Sequence, residues 1–197
     1  AGVSARGSYA FAPGLALRLD LSAGYVAGID VPVGDTTIQL SALALDGAAD
    51  LSWRLPLGGG ALALLLRGGY LFSQFAPQQP ANTVLFTAHT WHGGRLSLGV
   101  EAPLPGVPIR LHLEGGPSLL FATQWPETLG QGAPVLGWHG EVGLRAPLWA
   151  GWSLDLRYRL YGRDARFSGG GTRSPDVTEA RTEDLAHGLS AGVARHF

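Results

Sequence analysis

Nine stretches of this chain place apolar residues at every second position, and the connections between them are alternately very short and long. Successive side chains of an extended strand point to opposite faces, so each such stretch codes for one apolar and one polar face. From residue 15, Leu15, Leu17, Leu19, Leu21, Ala23 and Tyr25 stand against Ala16, Arg18, Asp20, Ser22 and Gly24. The division recurs as Leu62, Leu64, Leu66, Tyr70 and Phe72 against Arg67, Gly69 and Ser73. It recurs again as Ile109, Leu111, Leu113, Leu119 and Phe121 against Arg110, His112, Glu114 and Ser118. Trp138, Val142, Leu144 and Leu148 oppose His139, Glu141 and Arg145, and Trp152, Leu154, Leu156 and Tyr158 oppose Asp155, Arg157 and Arg159.

The segment 37–57 tests the pattern, because Asp46-Gly47 between apolar runs is also a hairpin signal. A two-residue turn there puts Leu43 on the same face as Asp50 and scrambles both faces. A continuous strand keeps Leu43, Leu45, Leu51, Trp53, Leu55 and Leu57 together and Asp46, Asp50, Ser52 and Arg54 opposite. Because a one-residue slip exchanges faces completely, the continuous strand is the consistent reading. The segment 84–104 behaves likewise, with Leu96, Leu98, Val100 and Leu104 against Arg95, Ser97 and Glu101.

The longest uninterrupted apolar run, 61–66, falls far short of the roughly 18 residues of a transmembrane helix. A chain of this kind crosses a membrane as strands, and only a closed barrel then satisfies its backbone groups in hydrocarbon. Short turns fall at 12–14, 58–60, 105–108 and 150–151; longer polar loops fall near 29–36, 76–82, 126–133 and 168–180. In outer-membrane barrels the short turns are periplasmic and the long loops face outward. Trp53, Trp149, Trp152 and Tyr9 lie near short turns, and Tyr25, Tyr70, Phe72 and Trp125 near long loops, as interfacial girdles require.

On these residues the chain resembles the small OmpA/OmpX-like class of bacterial outer-membrane barrels. The resemblance covers nearly all of residues 1–197 as a single domain and rests on pattern rather than on a motif. It implies an all-β, antiparallel up-and-down transmembrane barrel in the bacterial outer membrane, in contact with outer-membrane lipids. It also implies insertion by the barrel-assembly machinery, which reads a terminal strand ending in an aromatic. Phe197, Val193, Ala191 and Leu189 match that signal, whereas Arg195 departs from it.

The strand count has two solutions. Eight strands from about residue 15 form the wall with 1–13 as an extension or partial strand, or ten form it, the first preceding Ala1. Val3, Ala5, Gly7, Tyr9 and Phe11 opposite Ser4, Arg6 and Ser8 make a strand in their own right. Pro117 removes a ladder donor, so Glu114-Gly115-Gly116-Pro117 predicts a bulge.

Any chemistry falls to the polar face. Arg18, Asp20, Asp50, Arg54, Arg67, Arg95, Glu101, Arg110, Glu114, Glu141, Arg145, Asp155, Arg157 and Arg159 all lie there. An eight-stranded interior is just wide enough for side chains to fill it, so these charges predict a lumen plugged by Arg–carboxylate pairs. The function this predicts is a structural scaffold, or an interaction protein presenting its loops to envelope partners. A narrow pore weakly favouring anions is the alternative, motivated by the surplus arginines and the Arg157, Arg159 and Arg163 row.

A second alternative is an outer-leaflet lipid-modifying enzyme. Its candidate groupings are His89, Trp91 and His92; His139 with Glu141; and His187 with Ser190, none of which forms a specific catalytic motif. No metal-ligand spacing such as HExxH occurs, and no cofactor is implied. With a formal net charge of −1 and no basic cluster, nucleic acid is not an expected partner. A soluble lipocalin-like barrel shares the alternation but buries the apolar face, and alternation alone does not say which face is inside.

Overall fold

The computed structural model describes residues 2–33, 35–78, 88–124, 131–149, 152–168, 176 and 178–195. It is all-β. The strands are β1 (Gly2–Ala12), β2 (Leu15–Val33), β3 (Thr36–Leu57), β4 (Leu62–Gln78), β5 (His89–Pro103), β6 (Arg110–Gln124), β7 (Gln131–Gly132), β8 (Val135–Pro147), β9 (Trp152–Ser168) and β10 (Glu179–Arg195). All belong to one antiparallel up-and-down sheet in the order β1-β2-β3-β4-β5-β6-β8-β9-β10, with the two-residue β7 paired to β9.

Asp46 and Gly47 lie inside β3, paired to Ser22 and Gly47's neighbour Leu21 on one side and to Ser73 and Phe72 on the other. The hairpin signal is overridden because a turn there would move the leucines of one half to the polar face. The turn that does form between β1 and β2 uses Gly14 at φ 75°, whose carbonyl accepts a bond from the Arg54 backbone N–H at 2.7 Å. A Cβ on Gly14 would lie 2.5 Å from the Arg54 carbonyl oxygen, so glycine is required both by conformation and by space.

Three sequence expectations are corrected. First, residues 2–12 are no free extension: their alternation finds a hydrogen-bonded partner in β2, so the sheet has nine long strands rather than eight. Secondly, strand replaces most of the loop expected over 29–36, because β2 and β3 keep pairing through Val31 with Ile38 and Val33 with Thr36. A register shift between Val26 and Ile29 marks where this projection begins. Thirdly, Pro117 creates no bulge. It interrupts the ladder to β5 between Arg95–Ser118 and Leu98–Gly115 without changing register, and it stays opposite Trp138 of β8. The expected turn at 150–151, Trp125 and Phe197 lie outside the described residues, as do most of the loops at 76–82, 126–133 and 168–180.

The sheet curls until strands far apart in its order touch across the interior. Arg163 of β9 lies 5.1 Å from the ring centre of Trp91 on β5, and Arg6 of β1 comes within 3.8 Å of Glu141 on β8. The polar face is therefore the concave one. The apolar face is convex and open: Leu19, Leu98 and Leu189 are 50%, 57% and 72% exposed. Over 15–25, 43–57, 62–72, 96–102, 111–121, 136–146, 154–162 and 185–193, no outward position is Asp, Glu or Arg. Charge reappears outside only beyond this belt, where Arg181 grips Asp164 with bonds of 2.8 and 2.7 Å.

The curl is open along one seam. Nine alternating strands make β1 and β10 run in the same direction, and among the described residues no ladder joins them.

Candidate functional site

The interior is stratified along its axis, and the β6–β8 ladder displays the layers in order. Arg110 opposes Arg145, His112 opposes Gly143, Glu114 opposes Glu141, Gly116 opposes His139, and Leu120 opposes Val135. A basic rung thus lies at the short-turn end, an acidic rung midway and an apolar rung toward the long connections.

The apolar layer is a packed cluster of Trp91, Leu120, Val135, Ala165 and Phe167, with Leu71 and Ala122 against it. Trp91 is 1% exposed, so its whole ring is taken out of solvent inside the curl. Its Nε1 has no hydrogen-bond partner among the described residues, a cost that the surrounding packing offsets.

In the middle layer, like charges that face each other across β6–β8 are neutralised from other strands. Glu114 is gripped by Arg67 of β4 and lies 3.1 Å from His112 Nε2. Glu141 accepts from Arg157 Nη1 at 2.8 Å and from Arg159 Nε at 2.7 Å. Asp50, 1% exposed, takes both arms of Arg95, with Nε donating to Oδ1 at 2.8 Å. Arg18 Nε lies 2.9 Å from Asp20 Oδ2, and Arg6 bonds the other oxygen of the same carboxylate.

At the short-turn end, Glu101 accepts from Arg110 and, at 3.3 Å, from Arg54 Nη2. Asp155 accepts both arms of Arg145 at 2.7 and 3.2 Å and Arg157 Nη2 at 2.9 Å. Each of the fourteen charged residues singled out in the sequence therefore sits within 4 Å of an opposite charge. Three interior charges lie outside that set: Arg6, already on the polar side of residues 3–11 in the sequence; Arg163, already in the row with Arg157 and Arg159; and Asp184, which the sequence reading does not name and which lies 3.9 Å from Arg163 Nε.

The histidine groupings fare differently. His89 and Trp91 are inside, in an edge contact at 6.0 Å, while His92 is on the convex face with its Nδ1 2.9 Å from the Tyr70 hydroxyl. His139 Nε2 is 2.8 Å from Ser97 Oγ, whereas its neighbour Glu141 is engaged by arginines. That serine–histidine contact has no orienting carboxylate, since His139 Nδ1 is without a partner among the described residues. His187 packs on Tyr158 at 6.0 Å outside, and Ser190 occupies the opposite parity of β10, so the two do not meet. Among the described residues no group of three His, Cys, Asp or Glu is placed to hold a metal.

Of the terminal signal, Leu189 and Val193 are on the convex face, with Ala191 at the same parity, and Arg195 is paired to Trp152. No protein-family model, curated protein or solved structure matches this chain.

Proposed function

We propose that this chain is a bacterial outer-membrane β-barrel whose lumen is plugged, acting as a structural scaffold or as a presenter of loops to envelope partners. The observation that carries this reading is the convex belt, leucine-rich and uncharged at its outward positions over 7 to 15 residues, most often 9 or 11, of each of the eight strands β2–β6 and β8–β10. That length matches a tilted strand crossing the hydrocarbon core, whereas an apolar surface of that extent is not left bare in water. The inverse arrangement of a lipocalin-like barrel is disfavoured by the same observation, since the charges line the concave side.

Filling of the interior supports the scaffold over the pore. Trp91, Leu120 and Phe167 pack across one end and paired charges fill the middle. Closure follows from strand direction. A single further strand antiparallel to both β1 and β10 would complete a ten-stranded wall without a parallel pair. The OmpA/OmpX-like resemblance, insertion by the barrel-assembly machinery and contact with outer-membrane lipids belong to this proposal. Partition into detergent micelles and heat-modifiable mobility on a gel test it; a monodisperse protein in plain buffer contradicts it.

A further inference from the structure

We infer that the short-turn end of the interior binds the phosphate group of a small monoester, using Arg110 and Arg145 as its core and Arg54 as a third donor. A cavity of about 310 Å³ opens there, and seven arginines line it against only two carboxylates, Glu101 and Asp155. Three of the seven, Arg18, Arg67 and Arg157, are held from deeper layers by Asp20, Glu114 and Glu141. Arg6 is bonded to Asp20 as well, so three arginines, Arg54, Arg110 and Arg145, are left to two carboxylates that are themselves shared. Glu101 is divided between Arg54 and Arg110, and Asp155 between Arg145 and Arg157.

Direct cross-strand pairing of Arg110 with Arg145 is the second observation. Like charges at opposed positions repel, and here each guanidinium turns to a different carboxylate, Arg110 to Glu101 and Arg145 to Asp155. Three guanidinium forks lining one cavity suit a tetrahedral dianion, which accepts several bidentate pairs where a carboxylate accepts one. The side chains of Arg54 and Arg145 are 41% and 38% exposed, so both remain reachable by a ligand.

The substituent is indicated by a second cavity of about 430 Å³ that shares Arg110 and Arg145 with the first. Its other walls include Pro103, Val107, Leu148 and Trp152. A polar floor with apolar walls fits a phosphate carried on a small apolar body. The arginine floor lies inside the curl, and that part of the inference does not depend on whether the convex face lies in lipid; the apolar walls stand at the short-turn rim, where Val107 and Leu148 are exposed.

The phosphate group could arrive on a soluble ester or on a lipid headgroup, and titration calorimetry of the full chain in nonionic micelles separates these. Phenyl phosphate, inorganic phosphate and micelles doped with phosphatidic acid are the three probes. Saturable binding of phenyl phosphate, tighter than inorganic phosphate and weakened about tenfold or more in Arg110→Gln/Arg145→Gln, is the expected result. The same dependence seen only with phosphatidic acid assigns the site to a lipid headgroup. Inorganic phosphate binding as tightly as phenyl phosphate overturns the apolar substituent. No saturable binding, or binding unchanged in the double variant, overturns the site. Arg54→Gln, a single exposed change, repeats the test should the double variant fail to fold, and Arg181→Ala outside the cavity serves as the unaffected control.

Discussion

Asp50 of β3 and Arg95 of β5 are joined by both carboxylate oxygens across a strand to which neither belongs. The residue between them in register is Gly69 of β4, opposite Asp50 on one side and Arg95 on the other. A Cβ at Gly69 would lie 2.4 Å from Asp50 Oδ1 and 2.1 Å from the Ala49 carbonyl oxygen. The bridge therefore exists because the middle strand has no side chain there. Arg67 and Glu114 also join across a middle strand, β5, but offset by two residues: Glu114 lies opposite Gly99 and Arg67 opposite Ser97.

Asp50→Ala should destabilise the fold by about 3–5 kcal/mol, since it leaves Arg95 facing the interior without its carboxylate. Gly69→Ala should cost about 1–3 kcal/mol by forcing β3 and β4 apart. Urea unfolding in the same micelles, followed by tryptophan fluorescence, measures both. Unchanged midpoints would show that the bridge does not hold the lumen together.

Substitutions on the convex face should depend on depth. Leu19→Arg and Leu98→Arg, in the middle of the belt, should each cost about 2–4 kcal/mol in liposomes, and Leu57→Arg at its edge about 0–1 kcal/mol. Equal and negligible costs at all three positions would mean that the face meets water.

The apolar layer should close the lumen. Planar-bilayer recordings of the purified protein are expected to show no conductance steps, and Trp91→Ala should lower stability by about 3–5 kcal/mol through the cavity it leaves. Regular steps in the unmodified protein would refute the plug.

The outer pair of β9 and β10 offers a pH test. Two bonds from Arg181 hold the Asp164 carboxyl below its ordinary range. A depressed folded-state value stabilises the pair above the unfolded pKa and is lost as pH falls through the folded one. In Arg181→Ala the Asp164 titration followed by NMR should move upward toward about 3.9. No movement would break the assignment of that bridge.

Which face each residue occupies was legible in the sequence, because alternation fixes parity: Asp46 and Gly47 stay in strand, and Arg95, Glu101 and Glu114 fall together on one side. Partner choice was not. Asp50 and Arg95 are 45 residues apart and meet only through the registers of two ladders and the curl of the sheet. The plug escaped for a related reason. Trp91 and Phe167 share the polar parity of their strands, and an apolar residue there looks like an exception until the layer it joins is seen. Strand number is a property of the seam between β1 and β10, which no local pattern encodes.

Orientation of the two faces is the central claim, and the absence of native cysteine allows it to be read directly. Nitroxide labels at Leu19→Cys, Leu98→Cys and Leu189→Cys in liposomes should collide more readily with oxygen than with a water-soluble nickel chelate, and a label at Asp176→Cys should show the reverse. Nickel accessibility at 19, 98 and 189 equal to that at 176 would contradict the account.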